Sequence, residues 1–258
     1  MSTSEPKINV SCVIITLNEQ ENLADCLESV KWCNEIILVD SGSIDKTIEI
    51  AEKFGAKIFT KELNGFGAQK RYAVSIASND WIFSVDADEV VTGELREDII
   101  KRFNSPETLP AGFTVQRRLD FLGREFKYGK EGNEFLVRLF NRQFGNLSSA
   151  KVHEGVELNG KTEKLEGILL HNSYKTLHQY FLKFNDYTTL AANELLEKGK
   201  GGRVVLTFFL FPFYLIKNYI VNNNFMNGKE GLIWAFLSSC YPIVKYVKLW
   251  KLNQHKKS

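Results

Sequence analysis

Residues 81–89 read Trp-Ile-Phe-Ser-Val-Asp-Ala-Asp-Glu, and the fold turns on them. Trp81 to Val85 is aromatic and β-branched and follows the turn-forming pair Asn79-Asp80, so it reads as a short buried strand. Asp86 and Asp88 fall where that strand runs out, with only Ala87 between them. Ligands of open α/β sheets gather at the carboxyl ends of the strands. Two carboxylates at such an edge repel each other unless a cation or a hydrogen-bond donor sits between them. Oxygen ligands favour a hard divalent ion, Mg²⁺ or Mn²⁺, held by one or two carboxylates plus substrate phosphates. A bare Asp-x-Asp is also how a solvated acidic turn ends a strand. The surrounding chain weighs against that.

Upstream, Val10 to Thr16 is a continuous apolar run suited to a strand covered on both faces. Asn18 to Glu21 carries a capping-box pattern, and Leu23, Ala24, Leu27 and Val30 form a helical stripe. Glu35 to Val39 is a second strand, ending at Asp40. A helix follows through Ile48, Ala51 and Phe54, with Gly55 as its stop. Ala56 to Phe59 reads as a third strand, and residues 68–78 as a helix leading into the strand that carries Asp86. This alternation predicts a Rossmann-like, doubly wound, mostly parallel α/β sheet.

Beyond Glu89 the pattern loosens. Glu94 to Phe103 reads as a helix, Gly112 to Arg117 and Phe135 to Phe140 as strands, Val152 to Glu154 as a short third strand, and 176–198 as a helix. A Gly-rich hinge follows at Gly199, Gly201 and Gly202. The division expected is a first half at 8–115, a second half of the same domain at 116–198, and C-terminal amphipathic helices with a basic tail at 199–258.

Charge separates the tail from the rest. Residues 1–197 hold 23 Lys and Arg against 30 Asp and Glu, a net −7; residues 198–258 hold 10 against 1, a net +9. Such a split points to an anionic partner for the tail. Its apolar runs, Val204 to Ile216 and Leu232 to Val244, contain Pro212 and Pro242. Thirteen helical residues span about 20 Å, short of a hydrocarbon core of about 30 Å, so helices lying in the interface of an anionic leaflet fit better. A helical pair buried on the protein's own core is the alternative. Four scattered cysteines without a CxxC pair, and an N-terminus without an apolar core, predict free thiols and a cytoplasmic protein. The basic residues lie in an apolar tail rather than around exposed aromatics, which argues against nucleic acid.

Three pieces then combine: Ile15-Thr-Leu-Asn-Glu19, Asp40-Ser-Gly-Ser-Ile-Asp45 and Asp86-Ala-Asp88, in that order and each at a strand's carboxyl end. Over roughly residues 8–120 they resemble a family 2 glycosyltransferase with the GT-A fold. Arg138-Leu-Phe140, Val152-His-Glu154 and His171 further resemble the subgroup that builds the inner core of bacterial lipopolysaccharide. The resemblance implies inverting transfer of a hexose such as glucose from a UDP-sugar to a lipid-linked saccharide, by a protein peripheral on the inner face of the cytoplasmic membrane. It implies that Thr16, Leu17 and Glu19 line uracil and ribose, that Asp40 takes the base, and that Asp86 reaches the ribose. Asp88 is then the ligand of a Mn²⁺ or Mg²⁺ ion, and Lys70 leans on a phosphate. Inversion needs one general base, for which Glu154 is the best residue available. His153 is a further metal ligand or the partner that orients Glu154. Arg138 and His171 are assigned to the acceptor or a phosphate, with a structural salt bridge as the alternative for Arg138 and a capping or packing role as that for His171. The chain departs from the family where Lys70-Arg71 replaces Arg-Asn, where Leu17 replaces an aromatic, and where a Glu-Asp pair is missing from the acceptor half.

Rival readings fare worse. Transfer to a polyprenyl phosphate expects clear spanning helices. A nucleotidyltransferase expects a basic Gly-rich loop where Thr16-Leu-Asn-Glu19 stands, and no GxGxxG follows a strand. A catalytically dead sugar-nucleotide binder expects the carboxylates to be lost, yet Asp86, Asp88 and Glu154 are all present.

Overall fold

The computed structural model describes residues 7–63, 65–148, 155–201 and 204–255. His153, Glu154 and the strand expected at Val152 to Glu154 lie outside the described residues. The chain forms two compact units: one runs to Arg118 and resumes at Glu134–Asn172, and the other comprises Leu119–Asn133 and everything from Ser173 onward.

The first unit opens with β1 (Ile8–Thr16), α1 (Leu23–Val30), β2 (Cys33–Asp40), α2 (Thr47–Lys53), β3 (Lys57–Thr60), α3 (Phe66–Ser75) and β4 (Trp81–Ser84). Next in the chain come β5 (Glu89–Val91), α4 (Gly93–Phe103), β6 (Gly112–Phe121), β7 (Arg124–Glu125, in the second unit), β8 (Glu134–Asn141), β9 (Gly145–Leu147), β10 (Val156–Leu158) and β11 (Thr162–Tyr174). Among the described residues the main sheet runs β3-β2-β1-β4-β8-β6-β11-β5. The β3-β2-β1-β4 half is parallel, as the alternating pattern requires. β8 then pairs antiparallel with both β4 and β6, and β5 pairs antiparallel with β11.

Alternate residues of the central strands feed two cores. Val10, Cys12, Ile14 and Phe83 face a cluster with Leu23 and Leu27 of α1 and Leu95 and Ile99 of α4. Val13, Ile37, Val39 and Ile82 face the opposite side, against Ala73 and Val74 of α3. That is the period-2 side-chain rule of a strand covered on both faces. The register brings Thr16 of β1 opposite Asp40 of β2, so both strands end at one edge.

The capping box expected at Asn18 does not form. Asn18 has φ 55°, and α1 starts only at Leu23. Its side chain accepts from Ile44 N at 2.9 Å and its backbone N–H donates to Ser43 Oγ at 2.8 Å. The local signal for a cap is overridden by bonds to the next loop. Short polar side chains such as Asn tolerate that left-handed backbone.

The second unit contains the end of β6 paired with β7, then α5 (Leu177–Glu197), α6 (Val204–Ile216) and α7 (Gly228–His255). α5 does carry a capping box, formed by Thr176 and Gln179. Phe121 sits in an aromatic cluster, with the rings of Phe126, Tyr174, Tyr180 and Trp234 at 5.2–6.2 Å. Asn227 is buried and satisfied: its Oδ1 accepts from Lys127 N and Tyr128 N, and its Nδ2 donates to Tyr128 O and Asn224 Oδ1. α6 runs on through a π-helical turn, Lys217–Val221, despite Pro212. The helical run Val204–Val221 is therefore 18 residues, longer than the thirteen its composition suggested, and long and apolar enough to cross a membrane.

Candidate active site

β1, β2 and β4 deliver their carboxyl ends to one edge of the first unit. At the β2 end, Asp40 accepts from Thr16 Oγ1 at 3.0 Å, Gly42 N at 2.8 Å, Ser43 N at 2.8 Å and Ser43 Oγ at 2.5 Å. Burial alone raises the pKa of this carboxyl, but the Ser43, Gly42 and Thr16 donors outweigh burial and hold it below its ordinary value. Four acceptor positions exhaust a carboxylate. Gly42, at φ 100°, makes the turn that aims two amides at one oxygen. The loop is tied to the one after β1 by Glu19 N to Thr47 Oγ1 at 2.8 Å and by the Asn18 bonds above. Leu17 lies beside it, 44% exposed, and Glu19 Oε2 accepts from Asn22 Nδ2 at 3.0 Å. Thr16, Leu17, Glu19 and Asp40 thus stand together at this edge.

At the β4 end, Asp86 meets two cations. Lys70 Nζ of α3 lies 2.6 Å from its Oδ1, and Arg138 Nη2 of β8 lies 2.8 Å from its Oδ2. Lys70 and Arg138 are 4% and 6% exposed. Burial pushes the Asp86 carboxyl up and Asp88 adds to that, yet Arg138 and Lys70 prevail and hold it far below the carboxylate range. Arg138 is a buried partner of Asp86 and Glu89, which is the structural salt bridge that its sequence position left open beside an acceptor phosphate.

Glu89 is the residue the sequence reading missed. It is fully buried; Oε1 accepts from Arg138 at 2.5 Å and from Arg117 at 3.2 Å, while Oε2 accepts from Asp86 N at 2.9 Å. Its own N–H returns a bond to Asp86 O at 2.9 Å. Arg117 is shared in turn with Glu134 at 2.6 Å. This lattice of two arginines and their carboxylates fixes the Asp86-Ala87-Asp88 turn from beneath. The signal was available: an acid three residues after Asp86 is at capping distance. Cys26 Sγ lies 3.5 Å from Asp86 O, but burial raises its pKa well above the ordinary thiol value, which leaves it no nucleophile.

Asp88 points elsewhere. Its Oδ1 lies 3.4 Å from His171 Nε2, on β11. β11 is placed there by its antiparallel register with β5, in which His171 stands opposite Glu89. Among the described residues no three His, Cys, Asp or Glu side chains converge as a metal cage. A carboxylate oxygen and an imidazole nitrogen this close could together hold a divalent ion, Mn²⁺ more readily than Mg²⁺ because one donor is nitrogen. Asp88 and His171 are the residues that would hold it. Asp86, already neutralised by two cations, has no need of the ion.

The chain matches the model of "Glycosyl transferase family 2" over residues 11–152. It is 32% identical to the lipopolysaccharide core biosynthesis glycosyltransferase LpsC of Rhizobium meliloti, over 97% of this chain and 95% of that one. It is 30% identical to an uncharacterized glycosyltransferase of Rickettsia conorii, over 95% and 90% of the two chains. Among solved structures, glucosyl-3-phosphoglycerate synthase from Mycobacterium tuberculosis, in complex with Mn²⁺ and UDP-glucose, overlaps 43% of this chain and 44% of its own. At 20% identity and a TM-score of 0.36, that likeness is too slight to bear on donor or metal. The mixed, mostly parallel sheet with its C-terminal helices is the GT-A architecture, and the chain belongs to glycosyltransferase family 2.

Proposed function

We propose that this glycosyltransferase moves a hexose, glucose being the first choice, from a UDP-sugar to a hydroxyl of a lipid-linked saccharide, with inversion. The observation that carries the reading is the Asp88–His171 pair beside an Asp86 held by Lys70 and Arg138 at the sheet's carboxyl edge. The Thr16-Leu17-Glu19 segment and the Asp40 loop form the base and ribose cradle. Asp40 spends its lone pairs on its own loop, so it reaches a uracil N–H only when the Thr16 or Ser43 hydroxyl turns away. Asp86, locked in one orientation, accepts from a ribose hydroxyl. Asp88 and His171 hold the divalent ion, which when bound stabilises the negative charge that develops on the departing diphosphate. Lys70 keeps Asp86 ionised and adds positive potential at the same edge. Glu154 is assigned as the general base that takes the acceptor's proton, with His153 beside it in sequence.

The acceptor reading rests on the tail and on the relative named for lipopolysaccharide core biosynthesis. α6 leaves Phe208, Phe209, Phe213 and Ile216 at least half exposed, while Phe211 meets Phe236 of α7 edge-on. One face on protein and one apolar face outward describes a helix lying in a membrane interface, at the cytoplasmic leaflet. A second reading, transfer to a polyprenyl phosphate, is favoured by the 18-residue length of Val204–Val221.

Calorimetric titration with UDP, with and without Mn²⁺, on the wild type and on Asp88→Ala tests the donor site. Metal-dependent binding that the variant loses is expected; metal-independent binding overturns the metal assignment. Transfer of radiolabelled glucose to rough lipopolysaccharide or to polyprenyl phosphate then separates the two acceptors, with Glu154→Gln expected to bind donor but not transfer.

A further inference from the structure

The second unit contains a cavity of about 350 Å³ that the donor chemistry does not use. Tyr174, Tyr180, Tyr187, Tyr214 and Tyr241 line it, so five of the chain's nine tyrosines meet in one place. Trp234 forms a further wall, and its ring is aimed by a hydrogen bond from Nε1 to Glu131 Oε1 at 3.0 Å. Tyr241 is held likewise, its hydroxyl donating to Tyr187 O at 3.1 Å. The space opens to solvent, and these two bonds fix how the Trp234 and Tyr241 rings face into it.

The lining says what fits. Phe184 and Pro242 are the lining residues with no polar group; the others offer hydroxyl, amide, indole or ammonium edges. Rings with apolar faces and polar rims suit a ligand built the same way, and a pyranose has C–H faces and a hydroxyl rim. An acyl chain would want aliphatic walls. Lys217 is the charged residue of the lining, and no acid joins it, so an anionic substituent on the sugar is favoured. Lys217 and Asn218 stand on the π-helical turn that ends α6. π-turns inside helices recur at functional sites. Tyr214, one turn earlier on α6, lines the same cavity, while Phe209, Phe213 and Ile216 on that helix are exposed. One helix therefore offers both the cavity wall and the apolar outer surface.

We propose that this cavity is a saccharide subsite, which holds a sugar, with its anionic substituent, from the part of the membrane-anchored acceptor nearest the lipid. This deepens the lipid-linked acceptor reading above and rests on it. The ring stacks on Trp234 and the tyrosines, and Lys217 meets the anionic group.

The test is flotation of the full-length protein with vesicles of phosphatidylethanolamine and phosphatidylglycerol, with and without rough lipopolysaccharide. The wild type is compared with Tyr187→Ala and Lys217→Ala. Tyr187 is 45% exposed, so its loss leaves the fold intact, and UDP binding serves as the check on folding. Lipopolysaccharide is expected to raise wild-type recruitment. Tyr187→Ala and Lys217→Ala are each expected to need roughly tenfold more lipopolysaccharide for half recruitment, measured above the variant's own binding to plain vesicles. A lipopolysaccharide increment that survives in both variants overturns the subsite and leaves the acceptor reading standing. No increment in the wild type overturns the acceptor reading and the subsite with it.

Discussion

The Arg138 guanidinium donates to Glu89 Oε1 at 2.5 Å, and both residues are buried beneath the turn that presents Asp86 and Asp88. The same Nη2 reaches Asp86 Oδ2, so one nitrogen is shared by two carboxylates. Removing it leaves the buried Glu89 and the part-buried Asp86 each short of one partner, which costs more than the ion pair contributes net. Arg138→Met is expected to lose about 3–5 kcal/mol in urea denaturation. Arg138→Lys keeps the charge but not the fork, and is expected to recover only part of the loss. A loss within experimental error in Arg138→Met would sink the idea of a brace.

His171 separates the metal assignment from mere packing. His171→Ala is expected to weaken Mn²⁺-dependent UDP binding by at least about tenfold while leaving binding without metal unchanged. Equal losses with and without the ion would show a structural role instead.

Glu35 makes acid stability a local question. It accepts from Ser11 Oγ, Ser78 N, Ser78 Oγ and Lys57 Nζ, at 2.5–2.8 Å. Burial raises its pKa, but Lys57, Ser11 and Ser78 bring it down to about 2, from an ordinary 4.5. A depressed carboxylate stabilises the fold above its unfolded pKa and loses that contribution as pH falls through the folded value. The stability gap between wild type and Glu35→Gln should therefore be full at pH 6 and shrink between 4.5 and about 2. Denaturant midpoints measured along that range decide it; a gap independent of pH refutes it.

Gly231 allows α7 to start against the Asn224 carbonyl. A Cβ there would lie 1.9 Å from Asn224 O, which is backbone and cannot swing away. Gly231→Ala is expected to cost about 2–4 kcal/mol, although alanine is the better helix former. An unchanged or higher melting temperature would contradict the contact.

Phe209 and Phe213 are 79% and 61% exposed on α6. Burying one Phe in an apolar medium is worth about 1.5–3 kcal/mol. The double change Phe209→Ser with Phe213→Ser should reduce partitioning into anionic vesicles by at least about a hundredfold without lowering the melting temperature. Unaltered partitioning would remove α6 from the membrane.

What could be read from the chain, and what could not, follows from distance in sequence. Trp81 to Val85, Glu35 to Asp40 and Val10 to Thr16 declare themselves because each buries both faces and so carries a run of mostly apolar residues. Their carboxyl ends, Asp40, Asp86 and Asp88, follow from topology alone. The partners of Arg138 were hidden because they depend on β8 pairing with β4, which brings together residues 52 apart. His171 was assigned to acceptor or phosphate because the register of β11 on β5 leaves no local trace. Asn18 misled for the opposite reason: its local cap pattern is real, but the Ser43 and Ile44 backbone partners outbid it.

The chain passes between the two units at residues 118, 133 and 172, and this fixes an order of events on the ribosome. Units tend to fold as they emerge, N-terminal parts first. The first unit can complete only once Asn172 is out, whereas Leu119–Asn133 is made early and its partners Asn227 and Trp234 come about a hundred residues later. Phe121 and Phe126 therefore wait, apolar and uncovered, until the tail that carries the exposed Phe residues of α6 has been synthesised. Truncating the tail would therefore leave a sticky remnant, and a chaperone is most needed in that interval.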